Sequence, residues 1–190
     1  MHAYLSKISS AVLALLFILS LGWLSYSNYQ AGARAGNLAV NALLLSIPLG
    51  LLYFSIGVLV ITGDQRRAQG QIQPRLSAFL YWTPRIAGIL ITLFVAMFSL
   101  DVFSEQASPW ALVGAFLMHS LPAIAMGVLL FLAWRRPWVG FAAFAIAALF
   151  FLSFAIRNPG IVFLFSGPMA VIAALFWANW RWRIQRSSPQ

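Results

Sequence analysis

Apolar segments of about 20 residues recur along the whole of this sequence, and each is long enough to cross the hydrocarbon core of a bilayer. Because backbone N–H and C=O groups find no hydrogen-bond partner in lipid, such segments fold as helices whose hydrogen bonds are internal. Hydrophobic residues make up 62% of the chain and charged residues 8%, whereas about a quarter of the residues of soluble domains are charged. The sequence therefore predicts an all-α integral membrane helical bundle.

Six transmembrane helices can be placed on these segments. They are predicted at residues 9–27, 38–61, 84–104, 109–134, 138–156 and 159–180. Three of the starts carry a capping residue followed by proline, at Thr83-Pro84, Ser108-Pro109 and Asn158-Pro159. This pattern indicates a helix start, because the cap side chain accepts a hydrogen bond from an early amide and proline's missing N–H is no loss in the first turn. The predicted organisation is a transmembrane hairpin (1–61), a cytoplasmic loop with an interfacial segment (62–83), a four-helix unit (84–183) and a cytoplasmic tail (184–190).

The Lys and Arg residues are distributed asymmetrically between the two sides of this predicted bundle. With the N-terminus in the cytoplasm, only Arg34 and Arg157 of the twelve cations lie outside. The ten inner cations are Lys7, Arg66, Arg67, Arg75, Arg85, Arg135, Arg136, Arg181, Arg183 and Arg186. Since positive charge is retained on the cytoplasmic side, both termini are predicted inside, in a bacterial cytoplasmic membrane.

The first apolar segment has a second interpretation. Lys7 followed by an apolar run resembles a secretory signal peptide, with a cleavage site near Ser25-Tyr26-Ser27 or Ala31-Gly32-Ala33. Tyr26, Tyr29 and Trp23 favour an uncleaved anchor instead, because aromatic side chains collect at the membrane interface.

The basic balance predicts membrane partners. The net charge of +9 would suggest nucleic acid in a soluble protein, but membrane topology accounts for it here, and we expect no nucleic-acid binding. The expected partners are the lipid bilayer, anionic lipid headgroups at the inner face, and further copies of the chain or a larger membrane complex.

Polar residues within the apolar segments indicate where a function could lie, because placing them in a bilayer is costly. Three helices contain Ser-x-Pro, and we predict kinks at Pro48, Pro122 and Pro168, since each proline frees the carbonyl four residues earlier. These motifs fall in the predicted outer half of the bundle, as do both an acid and a histidine. We predict an outward-facing polar vestibule formed by Asp101, His119, Ser120, Ser46, Ser166 and Asn41.

Simpler interpretations of the same residues stay open. Asp101 and Glu105 share the outer side with Arg157 and Arg34, and these four side chains could form an ion-pair network. His119 could be a core histidine bonded to a serine or a carbonyl. A metal site is not predicted, because Asp101 and His119 differ in depth by roughly 9 Å at the rise of an α-helix.

Enzymatic activity is not favoured. A haem bundle usually needs two axial histidines, and the second histidine, His2, is terminal. A hydrolase using Ser166 and His119 would depart from the rhomboid pattern, in which the histidine follows the serine. We predict no catalytic residue, no metal and no cofactor. The vestibule is expected to bind or conduct a small ligand, an ion or a proton; the alternative is a structural or accessory subunit of a larger membrane complex, and a remote alternative is an intramembrane hydrolase.

A family resemblance rests on three short segments. They run from Phe98 to Glu105 (FSLDVFSE), from Met118 to Pro122 (MHSLP) and from Ala133 to Trp138 (AWRRPW). Through them, residues 85–140 resemble an uncharacterised family of small bacterial multi-pass membrane proteins, a domain of unknown function. The resemblance implies a four-helix unit with no assigned activity.

Overall fold

The structure is all-helical. The computed structural model describes residues 2–30, 32, 37–104, 108–155 and 158–184, and these ranges contain no strand. The α-helices are α1 (His2–Gln30), α2 (Leu38–Gln69), α3 (Pro74–Met97), α4 (Pro109–Arg135), α5 (Pro137–Phe154) and α6 (Gly167–Ile184). A 3₁₀ helix, Phe98–Ser104, follows α3, and a π-helix, Val162–Ser166, leads into α6. In the described ranges, six helices are long and apolar enough to cross a membrane. The predicted all-α class is thus confirmed, and the number of candidate spans agrees with the prediction.

Two of the helix starts predicted from cap chemistry are visible in the structure. The Ser108 side chain accepts a hydrogen bond from the Ala111 amide at 3.4 Å, and Pro109 is the first residue of α4. The Asn158 side-chain oxygen accepts from the Gly160 amide at 3.1 Å, just before the helical residues that lead into the π-helix. These caps depend on local chemistry alone.

The start predicted at Thr83-Pro84 is wrong. α3 begins ten residues earlier, at Pro74, and continues through Pro84. Pro84 has no N–H to donate to the Leu80 carbonyl, and the Asn179 side chain of α6 donates to that carbonyl instead, at 3.1 Å. Because α2 continues to Gln69 and α3 begins at Pro74, only the link between these two residues remains of the predicted loop 62–83. Gly70 ends α2 at a φ of +70°.

The core is built around α6, which packs most extensively against α5 and also against α2 and α3. Its fully buried side chains include Met169, Ile172 and Phe176. The Phe176 ring stacks on Phe144 with 5.9 Å between centroids. Gly140 of α5 permits this approach, because a Cβ there would lie 2.7 Å from the Phe176 ring. α1 lies at the edge, with its main packing against α2.

The Ser-x-Pro motifs adopt three different local structures. Pro48 is buried within α2, whereas Pro122 is exposed on α4. Pro168 follows the π-helix, in which the Gly167 amide donates to the Val162 carbonyl five residues back. The predicted kinks at these prolines stay predictions, but the motifs do not share one local geometry.

Candidate functional site

A groove of about 570 Å³ lies where the end of α1, the start of α2 and the end of α3 meet. We call it the Asp101 groove. Its polar lining residues are Asp101, Asn41 and Asn28, and Phe94 and Phe98 contribute aromatic walls. Asp101 and Asn41 both belong to the predicted vestibule, so the structure brings together two of its six residues.

The 3₁₀ helix determines how Asp101 is presented. In a 3₁₀ helix, side chains three residues apart point in the same direction. Ser99 and Val102, which are 1% and 3% exposed, therefore both face the core. Asp101 and Phe98 face outward together, and the Phe98 ring is held against Phe94 with 5.4 Å between centroids.

The other predicted vestibule residues do not line the Asp101 groove. His119 is exposed on α4, and its Nδ1 lies 2.9 Å from the Ala115 carbonyl of the preceding turn. Ser46 donates to the Leu43 carbonyl at 2.6 Å, and Ser166 donates across to the Ala148 carbonyl of α5 at 2.9 Å. Ser120 is half-buried on α4.

The predicted outer ion-pair network falls largely outside the described residues. Glu105, Arg34 and Arg157 all lie in the gaps of the structure, so their pairing with Asp101 stays a prediction. Within the described ranges, no group of three His, Asp or Glu side chains is close enough to hold a metal ion.

Arg85 was predicted only as one of the inner cations, and its place inside the bundle was not predicted from the sequence. The side chain is fully buried, at 0% exposure. Its guanidinium donates hydrogen bonds to the Tyr81 carbonyl and, at 3.3 Å, to the Trp134 carbonyl. Its Cζ also lies 3.7 Å from the centroid of the Tyr81 ring.

The position of Arg85 has a physical cause at the end of α4. Trp134 belongs to the last turn of that helix, whose carbonyls have no partner within the helix and carry the negative end of its dipole. A guanidinium supplies both the hydrogen bond and the opposite charge. The signal available in the sequence was an arginine inside an apolar run, with Tyr81 one turn before it.

A second and larger pocket lies where the end of α2, the start of α3 and the end of α6 meet. We call it the Arg66 cavity; its volume is about 1050 Å³. Arg66, Tyr81, Asn179 and Trp182 are among its lining residues. These residues come from three helices, and no local pattern in the sequence links them.

The Arg66 guanidinium lies over the Trp182 ring, with Cζ 4.9 Å from the centroid. Its Nη1 is buried and has no hydrogen-bond partner among the described residues. The Asn179 amide, in contrast, is engaged with the Leu80 carbonyl.

Comparison with known proteins identifies a family but no activity. A profile described as a domain of unknown function, DUF7670, matches residues 73–190. The match begins at Gln73, the residue that precedes α3, and so contains α3 to α6 but neither α1 nor α2. No curated protein and no solved structure matches the chain. Because the match covers more than half of the chain, this protein belongs to the DUF7670 family of unknown function.

Proposed function

We propose that this chain is a multi-pass protein of a bacterial cytoplasmic membrane, with both termini inside, whose Asp101 groove faces outward and binds a small cationic ligand. The observation that supports this proposal is the meeting of one carboxylate, two amide side chains and two phenylalanine rings in one groove of about 570 Å³. That volume is within the usual range for small-molecule sites.

Each group in the groove has a role that suits a cation. The Asp101 carboxylate supplies negative charge, and the side-chain oxygens of Asn28 and Asn41 can accept hydrogen bonds from the ligand. Phe98, which is 47% exposed, contributes an aromatic ring, and the face of such a ring attracts positive charge. His119 does not contribute to the Asp101 groove, because it lies on an exposed face of α4.

Binding of tetraphenylphosphonium to the purified full chain in detergent tests the proposal. Equilibrium dialysis should show saturable binding, and Asp101→Asn should weaken it about tenfold, since one charge interaction of about 1.4 kcal/mol corresponds to that factor. The matched control is Asp64→Asn, which removes another exposed acid at the far end of α2 and should leave binding unchanged.

Two results would contradict the proposal. Equal binding by Asp101→Asn and the unaltered chain would show that the groove does not recognise the cation. Equal Asp101-dependent binding of tetraphenylborate, which has the same shape and the opposite charge and is measured in a separate experiment, would show that the groove does not select a cation. A stoichiometric partner retained through mild purification, without cation binding, would favour the accessory-subunit alternative.

A further inference from the structure

The Arg66 cavity carries an inference that does not depend on the Asp101 groove. Arg66 is half-buried, the Cζ of its guanidinium lies 4.9 Å from the centroid of the Trp182 ring, and its buried Nη1 has no hydrogen-bond partner among the described residues. Arg66 lines the cavity, and a guanidinium carries a fork of N–H donors whose geometry matches the oxygens of a phosphate.

The surroundings of Arg66 favour an anion. No acidic residue is among those that line the cavity in the described part of the chain. Ser77 and Gln71 contribute a hydroxyl and an amide to its wall. Arg85 adds a second positive charge nearby, because its Cζ lies 3.7 Å from the centroid of the Tyr81 ring, and Tyr81 lines the cavity.

An apolar groove of about 510 Å³ shares two lining residues, Ala78 and Trp82, with the cavity. From there it continues along α3 to Ile86 and Leu90. These four residues are spaced four apart and so form one stripe on the helix. Twelve residues of helix rise about 18 Å, which suits an acyl chain. Phosphate-binding groups at one end of an apolar stripe fit a lipid better than a free anion.

We propose that the Arg66 cavity and the groove along α3 together bind one anionic phospholipid, with its phosphate on Arg66 and an acyl chain along Trp82, Ile86 and Leu90. This is a defined site, in contrast to the general attraction of a basic membrane face for anionic headgroups.

Native mass spectrometry of the full chain tests the site. The protein is mixed with equimolar phosphatidylglycerol and phosphatidylcholine of identical acyl chains, and the retained lipid is counted. Both lipids carry a phosphate, but the choline ammonium of phosphatidylcholine cancels its net charge and is repelled by Arg66. We therefore expect the unaltered chain to prefer phosphatidylglycerol about tenfold, the factor that corresponds to about 1.4 kcal/mol. Arg66→Gln should abolish this preference. Arg67→Gln, which removes the neighbouring exposed cation, should preserve it within about twofold.

A second pair of variants tests the groove without altering any charge. Ile86→Trp adds a large side chain to the groove wall, on an exposed face where folding should tolerate it. It should reduce retention of both lipids. Leu93→Trp is the control, because Leu93 is equally exposed on α3 but does not line the groove.

Three outcomes would overturn the proposal. One is equal retention of the two lipids by the unaltered chain, a comparison that requires no variant to fold. Another is an equal loss of preference in Arg66→Gln and Arg67→Gln, which would indicate a diffuse charge effect. The last is displacement of phosphatidylglycerol by inorganic phosphate at millimolar concentration, which would make a free anion the ligand.

Discussion

Arg85 is accommodated within the bundle by three kinds of contact that act together. Hydrogen bonds to two carbonyls take the place of water on the two terminal nitrogens, Nη1 and Nη2. The rings of Tyr81, Trp134 and Phe176 surround its Cζ at 3.7 to 5.8 Å. A buried cation is otherwise costly, so this constellation makes the residue part of the structural core at the junction of α3, α4 and α6.

Removal of this side chain should be costly for stability. Arg85→Ala leaves a cavity among the aromatic rings and deprives the Trp134 carbonyl of its donor. We expect a loss of about 2 to 4 kcal/mol in the free energy of unfolding. Thermal unfolding in detergent measures this. Arg135→Ala, at an exposed position near the end of α4, is the control and should change stability little. Equal effects of the two substitutions would contradict the role assigned to Arg85.

At the scale of the element, α3 shows how a proline defect is repaired by another helix. Pro84 leaves the Leu80 carbonyl without its intrahelical donor, and Asn179 supplies one from 99 residues away in the sequence. Both ends of this bond are buried. The bond therefore links the continuity of α3 to the docking of α6.

A double-mutant cycle tests this link. Asn179→Leu should destabilise the protein by about 1 to 3 kcal/mol, because it leaves a buried carbonyl unsatisfied. The same substitution in a Pro84→Ala background should cost clearly less, since alanine restores the backbone donor to the Leu80 carbonyl. The effects of the two substitutions are non-additive only if Asn179 supplies the hydrogen bond that Pro84 removes from the Leu80 carbonyl. Additive losses in thermal unfolding would show that Asn179 acts through packing alone.

For the whole molecule, the proposed orientation assigns the Asp101 groove and the Arg66 cavity to opposite membrane surfaces. The two pockets lie at opposite ends of α3, as their lining residues show. Their proposed ligands have opposite charges. The assignment of the Asp101 groove to the outer surface rests on the asymmetric arginines, whereas the two proposed binding sites do not depend on it.

Single cysteines can test the orientation without background labelling, because the chain contains no cysteine. Ser108→Cys, at the start of α4, should react with a membrane-impermeant maleimide in intact cells. Gln71→Cys, between α2 and α3, should react only after the membrane is opened. The reverse pattern would invert the orientation and place the Asp101 groove in the cytoplasm.

The sequence by itself determined the properties that depend on short stretches of chain. The lengths of the apolar segments predicted an all-α fold with six spans, because backbone groups in lipid must be satisfied within each helix. Ser108 and Asn158 marked helix starts, because a cap bonds to an amide only a few residues away. Asp101 was identified as a candidate because charge is rare in such segments.

Only the tertiary structure decided which side chains meet. In a bilayer the lipid-facing and the packed faces of a helix are both apolar, so periodicity does not show which face of α4 is buried. The sequence therefore did not indicate that His119, one of the predicted vestibule residues, lies on an exposed face of α4 and does not line the Asp101 groove. The same reason applies to Arg85, Asn179 and Arg66. Their partners belong to other helices, and only the packing of those helices brings them together.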